Sequence, residues 1–240
     1  MMIEYQEKVN LRVNDFDCHD RLLISSILDL FQDVAGKHAT KLKVGFHDLL
    51  KLNRIWVVVR TKVEIYSQPK VEDTVIIRTY PLPLGKIDAN RCYEILNEQG
   101  KVLVKGISKW VNVDLTSRRV VRLNDITYGE GELYTEDKMI EDFNKTQDFV
   151  SESEIIKVKP MYLDLDHNGH INNSKYINFI LNNVKELHDK EIVSCQIDYL
   201  QELQKDEEFN FSYKVDADDI YSKGEIKGFM KFISRIKVKL

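Results

Sequence analysis

Two stretches of this chain share one pattern, and the elements that follow them share one order. Asp15-Phe16-Asp17-Cys18-His19-Asp20-Arg21-Leu22 and Asp164-Leu165-Asp166-His167-Asn168-Gly169-His170-Ile171 both read Asp-apolar-Asp, then polar positions, a basic or imidazole side chain, and an apolar residue. A helical run follows each. Ile24, Ile27, Leu28, Phe31 and Val34 recur at three- and four-residue steps, and so do Ile177, Ile180, Leu181 and Val184. Strand patterns come next: 56–66, 74–79, 90–97 and 102–113 after the first helix, then 192–200, 208–215, 220–227 and 229–238 after the second. Asn97-Glu98-Gln99-Gly100 supplies a hairpin turn. Phe209, Phe211, Tyr213 and Val215 alternate as in a half-buried strand. The chain is thus limited to two copies of one α+β unit: a short strand, a long amphipathic helix, and a strongly bent antiparallel sheet wrapped on it. Two such sheets can join edge to edge, which would protect their open edges.

Composition narrows the classes. The chain has 240 residues, 43% apolar and 31% charged, as a soluble globular protein should. No apolar run approaches the roughly 20 residues needed to span a bilayer, and the N-terminus lacks the pattern of a secretory signal. Cys18, Cys92 and Cys195 are few and widely spaced, so the expectation is a reduced, cytoplasmic protein. No metal-ligand spacing is present, and a net charge of −4 disfavours general nucleic-acid binding. Residues 130–154 carry nine acids against two lysines and read as a linker or surface excursion. The expected division is therefore an N-terminal unit at 1–130, an acidic linker at 131–154 and a C-terminal unit at 155–240. From Lys223 onward, Lys223, Lys227, Lys231, Arg235, Lys237 and Lys239 face only Glu225. Such a run is usually the solvated face of strands; a docking face for an acidic partner is the sharper alternative.

Chemistry concentrates at 164–176. In an extended segment Asp166, Asn168 and His170 would project to one face, bringing a carboxylate, an amide and an imidazole together. A helix starting after Asn172 and Asn173 would offer backbone N–H groups to an anion beside them. A plain turn and helix cap is the simpler reading of the same residues.

The stretch Asp164-Leu165-Asp166-His167-Asn168-Gly169-His170-Ile171-Asn172-Asn173-Ser174-Lys175-Tyr176-Ile177 resembles, almost position for position, the D-L-D-x-N-x-H-V-N-N-x-x-Y-I signature of acyl-acyl-carrier-protein thioesterases. This family is known from plant plastids and bacteria. The resemblance extends to 30–38, with Gln32 and His38, to Trp56-Val57-Val58, and to Lys109-Trp110-Val111 followed by Thr116-Ser117-Arg118-Arg119. It implies two tandem hotdog domains, with catalytic Asp166, Asn168 and His170. The family's further catalytic Glu lies in a segment like Glu-Tyr-x-x-Glu-Cys, here Asp198-Tyr199-Leu200-Gln201-Glu202-Leu203, which implies Glu202. Where the family often has a cysteine, this chain has Leu203, so a Cys–His mechanism lacks a thiol there. Cys195 reads as a buried small apolar residue.

The resemblance implies hydrolysis of fatty acyl-carrier-protein thioesters in fatty acid biosynthesis, with acyl carrier protein as partner and no cofactor. Glu202 is expected as general base on water, with His170 positioning that water. Asn168 would orient or polarise, and N–H groups near Asn172 and Asn173 would serve the oxyanion. Asp166 either orients these groups or attacks the carbonyl itself. In the first repeat His19 and Arg21 stand opposite Asn168 and His170, and Gln68 opposite Glu202. That copy is therefore expected to lack the chemistry and to house the acyl chain, with Phe31, Val34, Trp56 and Val58 lining the pocket or simply packing the core. Lys37, Lys41, Lys43, Arg118, Arg119, Arg122 and the C-terminal lysines are candidates to dock the carrier protein, and a homodimer is compatible with the pattern. An acyl-CoA thioesterase, a non-catalytic acyl-binding hotdog protein and a hotdog dehydratase are the competing readings.

Overall fold

The computed structural model describes residues 1–135, 140–166 and 169–239. The chain forms two compact units, Met1–Thr61 with Ile65–Asp142, and Phe143–Leu240 with the short segment Lys62–Glu64. In the first unit the elements are β1 (Tyr5–Asn10), α1 (Ile24–Lys41), α2 (Phe46–Leu50), β2 (Arg54–Ile65), β3 (Thr74–Pro81), β4 (Asp88–Asn97), β5 (Val102–Asp114) and β6 (Val120–Val121). Its strands are ordered β1-β3-β4-β5-β2, with β6 on β5. The second unit holds β7 (Ile156–Val158), α3 (Tyr176–Asn183), β8 (Ile192–Tyr199), β9 (Phe209–Asp216), β10 (Asp219–Ile226) and β11 (Phe229–Val238). Its order is β7-β9-β10-β11-β8. Strand for strand this is the same path, so the repeat read from sequence is a repeat of topology.

The expected strands lie within a few residues of those observed, because each is bounded by turn chemistry that the sequence displays. Between β4 and β5, Gly100 takes φ +80° and the Asn97 side-chain oxygen accepts the N–H groups of Gln99 at 3.1 Å and Lys101 at 2.8 Å. The apolar stripe of α1 (Ile24, Ile27, Leu28, Phe31, Val34) is buried as its spacing demands. Phe31 stacks on Tyr93 of β4 with ring centroids 4.5 Å apart. Its ring also lies directly over Gly106 of β5, where any Cβ would overlap it. Burying a side chain of this size contributes about 1.5–3 kcal/mol, and the missing Cβ is what lets helix and sheet approach.

The second helix departs from expectation. The spacing of Ile177, Ile180, Leu181 and Val184 predicts a long helix, but α3 ends at Asn183 and Val184 leaves helical geometry at φ −111°, ψ 88°. The Asn183 amide donates to the Phe179 carbonyl at 2.7 Å, the His188 ring bonds the Leu181 carbonyl at 2.7 Å, and a 3-10 turn follows at Lys185–Leu187. Side chains that bond nearby carbonyls compete with helix continuation. The core above β8–β11 is closed by aromatic edges instead: Tyr176 on Phe232 at 5.3 Å, Phe179 on Phe209 at 5.6 Å, and Phe209 on Phe232 at 5.7 Å.

Part of the acidic stretch packs on the second unit. The Thr146 N–H donates to buried Asp198 at 3.1 Å, and the Gln196 amide reaches the Asn144 carbonyl at 2.7 Å. Lys223 pairs with Asp148 at 2.9 Å. Three other C-terminal cations are similarly engaged: Arg235 with Asp219 at 2.8 Å, Lys237 with Asp218 at 3.2 Å, Lys239 with Glu191 at 3.5 Å. The basic run is therefore largely matched by acids from elsewhere in its own unit. Among the described residues no helix is long and apolar enough to cross a membrane.

The Phe31–Gly106 contact makes a direct prediction. Gly106→Ala should overpack the first unit by about 1–3 kcal/mol, lowering its thermal midpoint, and an unchanged melting curve would refute this packing.

Candidate active site

Both Asp-led stretches fold into the same turn, bond for bond. In the second unit the Asp166 N–H donates to the His170 carbonyl at 2.7 Å, the Gly169 N–H to the Asp166 carbonyl at 3.1 Å, and the Asn172 N–H to the Asp164 carbonyl at 2.8 Å. In the first, Asp17 donates to Arg21 at 2.9 Å, Asp20 to Asp17 at 3.1 Å, and Leu23 to Asp15 at 2.9 Å. Bridges Leu165↔Ile171 and Phe16↔Leu22 close the two turns. Each turn needs a left-handed residue: Asp20 at φ +55° in one, Gly169 at φ +79° in the other. The extended segment considered from the sequence does not form, because the second Asp of each motif caps its own turn. Asp166 Oδ1 accepts the His170 N–H at 3.1 Å, and Asp17 Oδ1 accepts those of Arg21 at 3.0 Å and His19 at 2.8 Å.

The same turn then presents different side chains. Arg21 folds back on Asp17, Nε to Oδ2 at 2.7 Å, while Gln68 uses its side-chain oxygen to accept the Leu22 N–H at 3.1 Å. In the second unit His170 Nδ1 lies 2.8 Å from Glu202 Oε1. A neutral His170 would donate from Nδ1 to this carboxylate and keep Nε2 as an acceptor. Both side chains stay about two-fifths exposed, 41% for His170 and 37% for Glu202, so water reaches them. The structure brings together His170, Glu202 and the Asp166 turn; Asn168 lies outside the described residues.

Backbone register shows that Gln68 and Glu202 are true counterparts. Leu200 and Gln201 donate to the Lys231 carbonyl at 2.8 and 3.0 Å, just as Tyr66 and Ser67 donate to that of Leu103 at 2.9 and 3.2 Å. The Lys231 ammonium also donates to the Glu202 carbonyl at 3.0 Å. Asn172 caps the start of the helical segment: its side-chain oxygen takes the Ser174 N–H at 3.1 Å and its carbonyl the Lys175 N–H at 2.9 Å. Asn172, Ser174 and Lys175 thus have internal partners for their N–H groups, and the Asn173 carbonyl accepts the Tyr199 hydroxyl at 3.1 Å.

Other candidates play structural parts. Cys195 is buried and its thiol is pushed up to about 12, which removes it as a nucleophile. His38 is buried in the first unit, its Nδ1 3.0 Å from Arg91; burial and that guanidinium push it down to about 4, so it stays neutral. Phe31, Val34 and Val58 are buried in the core of the first unit. Trp56 donates its indole N–H to the Val44 carbonyl at 3.0 Å and packs on a cluster containing Ile3, Val44 and Leu49. A groove of about 730 Å³ runs along the exposed side of α1, with Tyr5, Asp29, Gln32, Asp33, Lys37 and Lys41 in its walls. These polar walls do not suit an acyl chain. Lys37 is bound there by Asp33 and Glu7, each at 2.8 Å, and Lys41 sits over the Tyr5 ring at 4.2 Å. Among the described residues no cluster of His, Cys, Asp or Glu could hold a metal.

Comparison with known proteins bears on these observations. The chain is 28% identical over 227 residues to the chloroplastic oleoyl-acyl carrier protein thioesterase of Coriandrum sativum, covering 85% of this chain and 61% of that one. It is 27% identical over 217 residues to the chloroplastic palmitoyl-acyl carrier protein thioesterase of Gossypium hirsutum, covering 84% and 52%. The chain therefore spans only about three-fifths of the coriander relative's length or less of the cotton one. Among solved structures, an acyl-ACP thioesterase from Bacteroides thetaiotaomicron superposes with TM-score 0.84 at 19% identity, covering 99% of this chain and 98% of that one. The 12:0-ACP thioesterase of Umbellularia californica does so with TM-score 0.81 at 19% identity, covering 99% and 97%. These likenesses establish the fold, two tandem hotdog domains. The model of the acyl-ACP thioesterase N-terminal domain matches residues 3–129 and that of the C-terminal domain residues 147–232, so the chain belongs to the acyl-ACP thioesterase family.

Proposed function

We propose that this protein hydrolyses fatty acyl-acyl-carrier-protein to free fatty acid and holo-carrier protein, at a single site in its second unit. The observation that carries this reading is the 2.8 Å contact between His170 and Glu202, where the matched turn of the first unit holds an Arg21–Asp17 pair. Glu202 takes a proton from a water that His170 helps to hold. The resulting hydroxide adds to the thioester carbonyl, the C–S bond breaks, and the thiolate leaves with the proton. Asn168 is the side chain assigned by the family resemblance to donate to the oxyanion, and the N–H of Asn173 is the backbone candidate.

Asp166 is an orienter rather than a nucleophile in this scheme. Asp17 caps the equivalent turn in a unit that lacks the acid–base pair, so the aspartate's work is to hold the turn. The acyl chain is assigned to the first unit from the family resemblance alone, since Phe31, Val34 and Val58 are packed in its core and Trp56 against a buried cluster. Three free cysteines suit a reducing compartment such as the cytoplasm. Of the cations considered for carrier-protein docking, Lys43, Arg119 and Arg122 stand exposed in the first unit, whereas Lys37 is bound by carboxylates.

Substitutions separate a base from a mere orienter. Glu202→Gln keeps an oxygen that can accept the His170 Nδ1–H but cannot take a proton. Loss of a general base commonly costs about 10²–10⁴-fold in rate, so Glu202→Gln and His170→Ala should each lower kcat by that order while leaving the melting curve near that of the wild type. Near-wild-type turnover in either variant would remove this assignment. Carrier choice is tested by comparing one acyl chain on carrier protein and on CoA at rising salt. The carrier-protein thioester should be preferred at low ionic strength and lose kcat/KM as salt screens the docking charges; equal use of both carriers, indifferent to salt, would favour an acyl-CoA thioesterase.

A further inference from the structure

One residue of β11 holds the segment bearing Glu202 with both its backbone and its side chain. The Lys231 carbonyl accepts the N–H groups of Leu200 and Gln201 at 2.8 and 3.0 Å, and the Lys231 ammonium donates to the carbonyl of the next residue, Glu202, at 3.0 Å. The same ammonium lies 3.9 Å from Glu207 Oε2, an oxygen that also accepts the Gln204 N–H at 3.0 Å. It therefore sits between the two limbs of the turn at 202–207. Only 13% of the Lys231 side chain is exposed, and the Leu203 side chain, directly after Glu202, is fully buried.

The first unit shows what the backbone frame does without the ammonium. There the Leu103 carbonyl accepts the N–H groups of Tyr66 and Ser67 at 2.9 and 3.2 Å, which sets Leu103 at the register position of Lys231 and Gln68 at that of Glu202. An isobutyl side chain has no proton to give, and the Gln68 side-chain oxygen accepts the Leu22 N–H at 3.1 Å. The staple is present where the supported residue is a carboxylate and absent where it is an amide. The His170–Glu202 contact needs such support, because an exposed pair of long side chains does little to order the segments that carry it. A hydrogen bond from an ionised donor is roughly twice as strong as a neutral one, and this one ends on the peptide from which the Glu202 side chain projects.

We propose that Lys231 is a positioning residue, whose ammonium fixes the Glu202 carbonyl and thereby keeps the Glu202 carboxylate within hydrogen-bonding distance of His170. The inference rests on the reading of Glu202 and His170 as the acid–base pair. Displacing a reacting group by about 1 Å can cost on the order of 10²-fold. The bonds to the Lys231 carbonyl survive loss of its ammonium, so the expected effect is smaller.

The test is Lys231→Met, which keeps the aliphatic stem and removes only the ammonium, measured in the full chain on an acyl-carrier-protein thioester. The expected result is a kcat reduced about 10-fold, with KM unchanged. Lys231→Arg restores a charged donor and should recover most of that loss. Lys214→Met is the control: it removes an ammonium of the same unit that pairs with Glu152 at 3.5 Å, and should leave kcat alone. Wild-type kcat in Lys231→Met overturns the proposal. So does a loss confined to KM, which would make Lys231 a docking cation, and so does a loss that Lys214→Met reproduces or Lys231→Arg fails to relieve. Should Lys231→Met fail to fold, Lys231→Leu carries the test, since the first unit builds the same frame around Leu103; the expected fall in kcat at constant KM and the refutation are the same. Glu202→Gln run alongside separates two failures. If Glu202→Gln is inactive while Lys231→Met is fully active, only the positioning role falls; if Glu202→Gln turns over normally, the acid–base reading falls with it.

Discussion

An aspartate that accepts the N–H of a residue four places ahead of it decides the layout of both halves of this molecule. Asp17 and Asp166 each close a turn that ends one short extended stretch and launches a helix over the sheet. The residue whose N–H is captured, Arg21 in one unit and His170 in the other, is placed by that backbone bond and not by its own chemistry. What it does next depends on its side chain. A guanidinium returns to the capping aspartate, whereas an imidazole, which offers two nitrogens and no fixed charge, meets the carboxylate delivered from beyond β8. The divergence of the two units therefore comes down to a few side chains on a common backbone.

Energetics explain why that backbone must carry the geometry. A solvent-exposed ion pair contributes about 0–1 kcal/mol, less than the cost of ordering the residues that form it. The His170–Glu202 contact can exist only where the segments are already fixed. The second unit supplies such fixing through the Leu200 and Gln201 N–H bonds to the Lys231 carbonyl, the Lys231 ammonium on the Glu202 carbonyl, and an aromatic core of Tyr176, Phe179, Phe209 and Phe232. The first unit has its own way of seating a helix, a bare glycine under Phe31, and it shares the paired N–H bonds behind Gln68 but has Leu103 where the second unit has Lys231. An internal duplication in which one copy retains the turn and lacks the imidazole–carboxylate pair fits a chain with one working centre.

Much of this was legible in the sequence. The repeat, the strand limits, the helical stripe of α1 and the pairing of Gln68 with Glu202 all follow from periodicity and spacing, because each is a local pattern. What escaped was whatever depends on which partner a particular polar side chain takes. Asp166, Asn168 and His170 suggested an extended segment, yet the Asp166 carboxylate turns back on the His170 N–H. Apolar spacing through Val184 suggested a long second helix, but Asn183 and His188 bond carbonyls of the last turn and stop it. The basic run after Lys223 read as a solvated strand face with a docking face as the sharper alternative, and acids distant in sequence, such as Asp148 and Glu191, lie beside it.

The central claim is one catalytic centre per chain, in the second unit. The most direct measurement is fatty-acid release from an acyl-carrier-protein thioester by a His19→Ala/Arg21→Ala enzyme, which removes the two first-unit side chains aligned with Asn168 and His170. Turnover within about twofold of the wild type is the predicted result, since surface changes away from a working site usually cost little. A fall of about 10²-fold or more, the size expected for loss of an acid–base group, in a variant that still melts as the wild type does, would contradict the account.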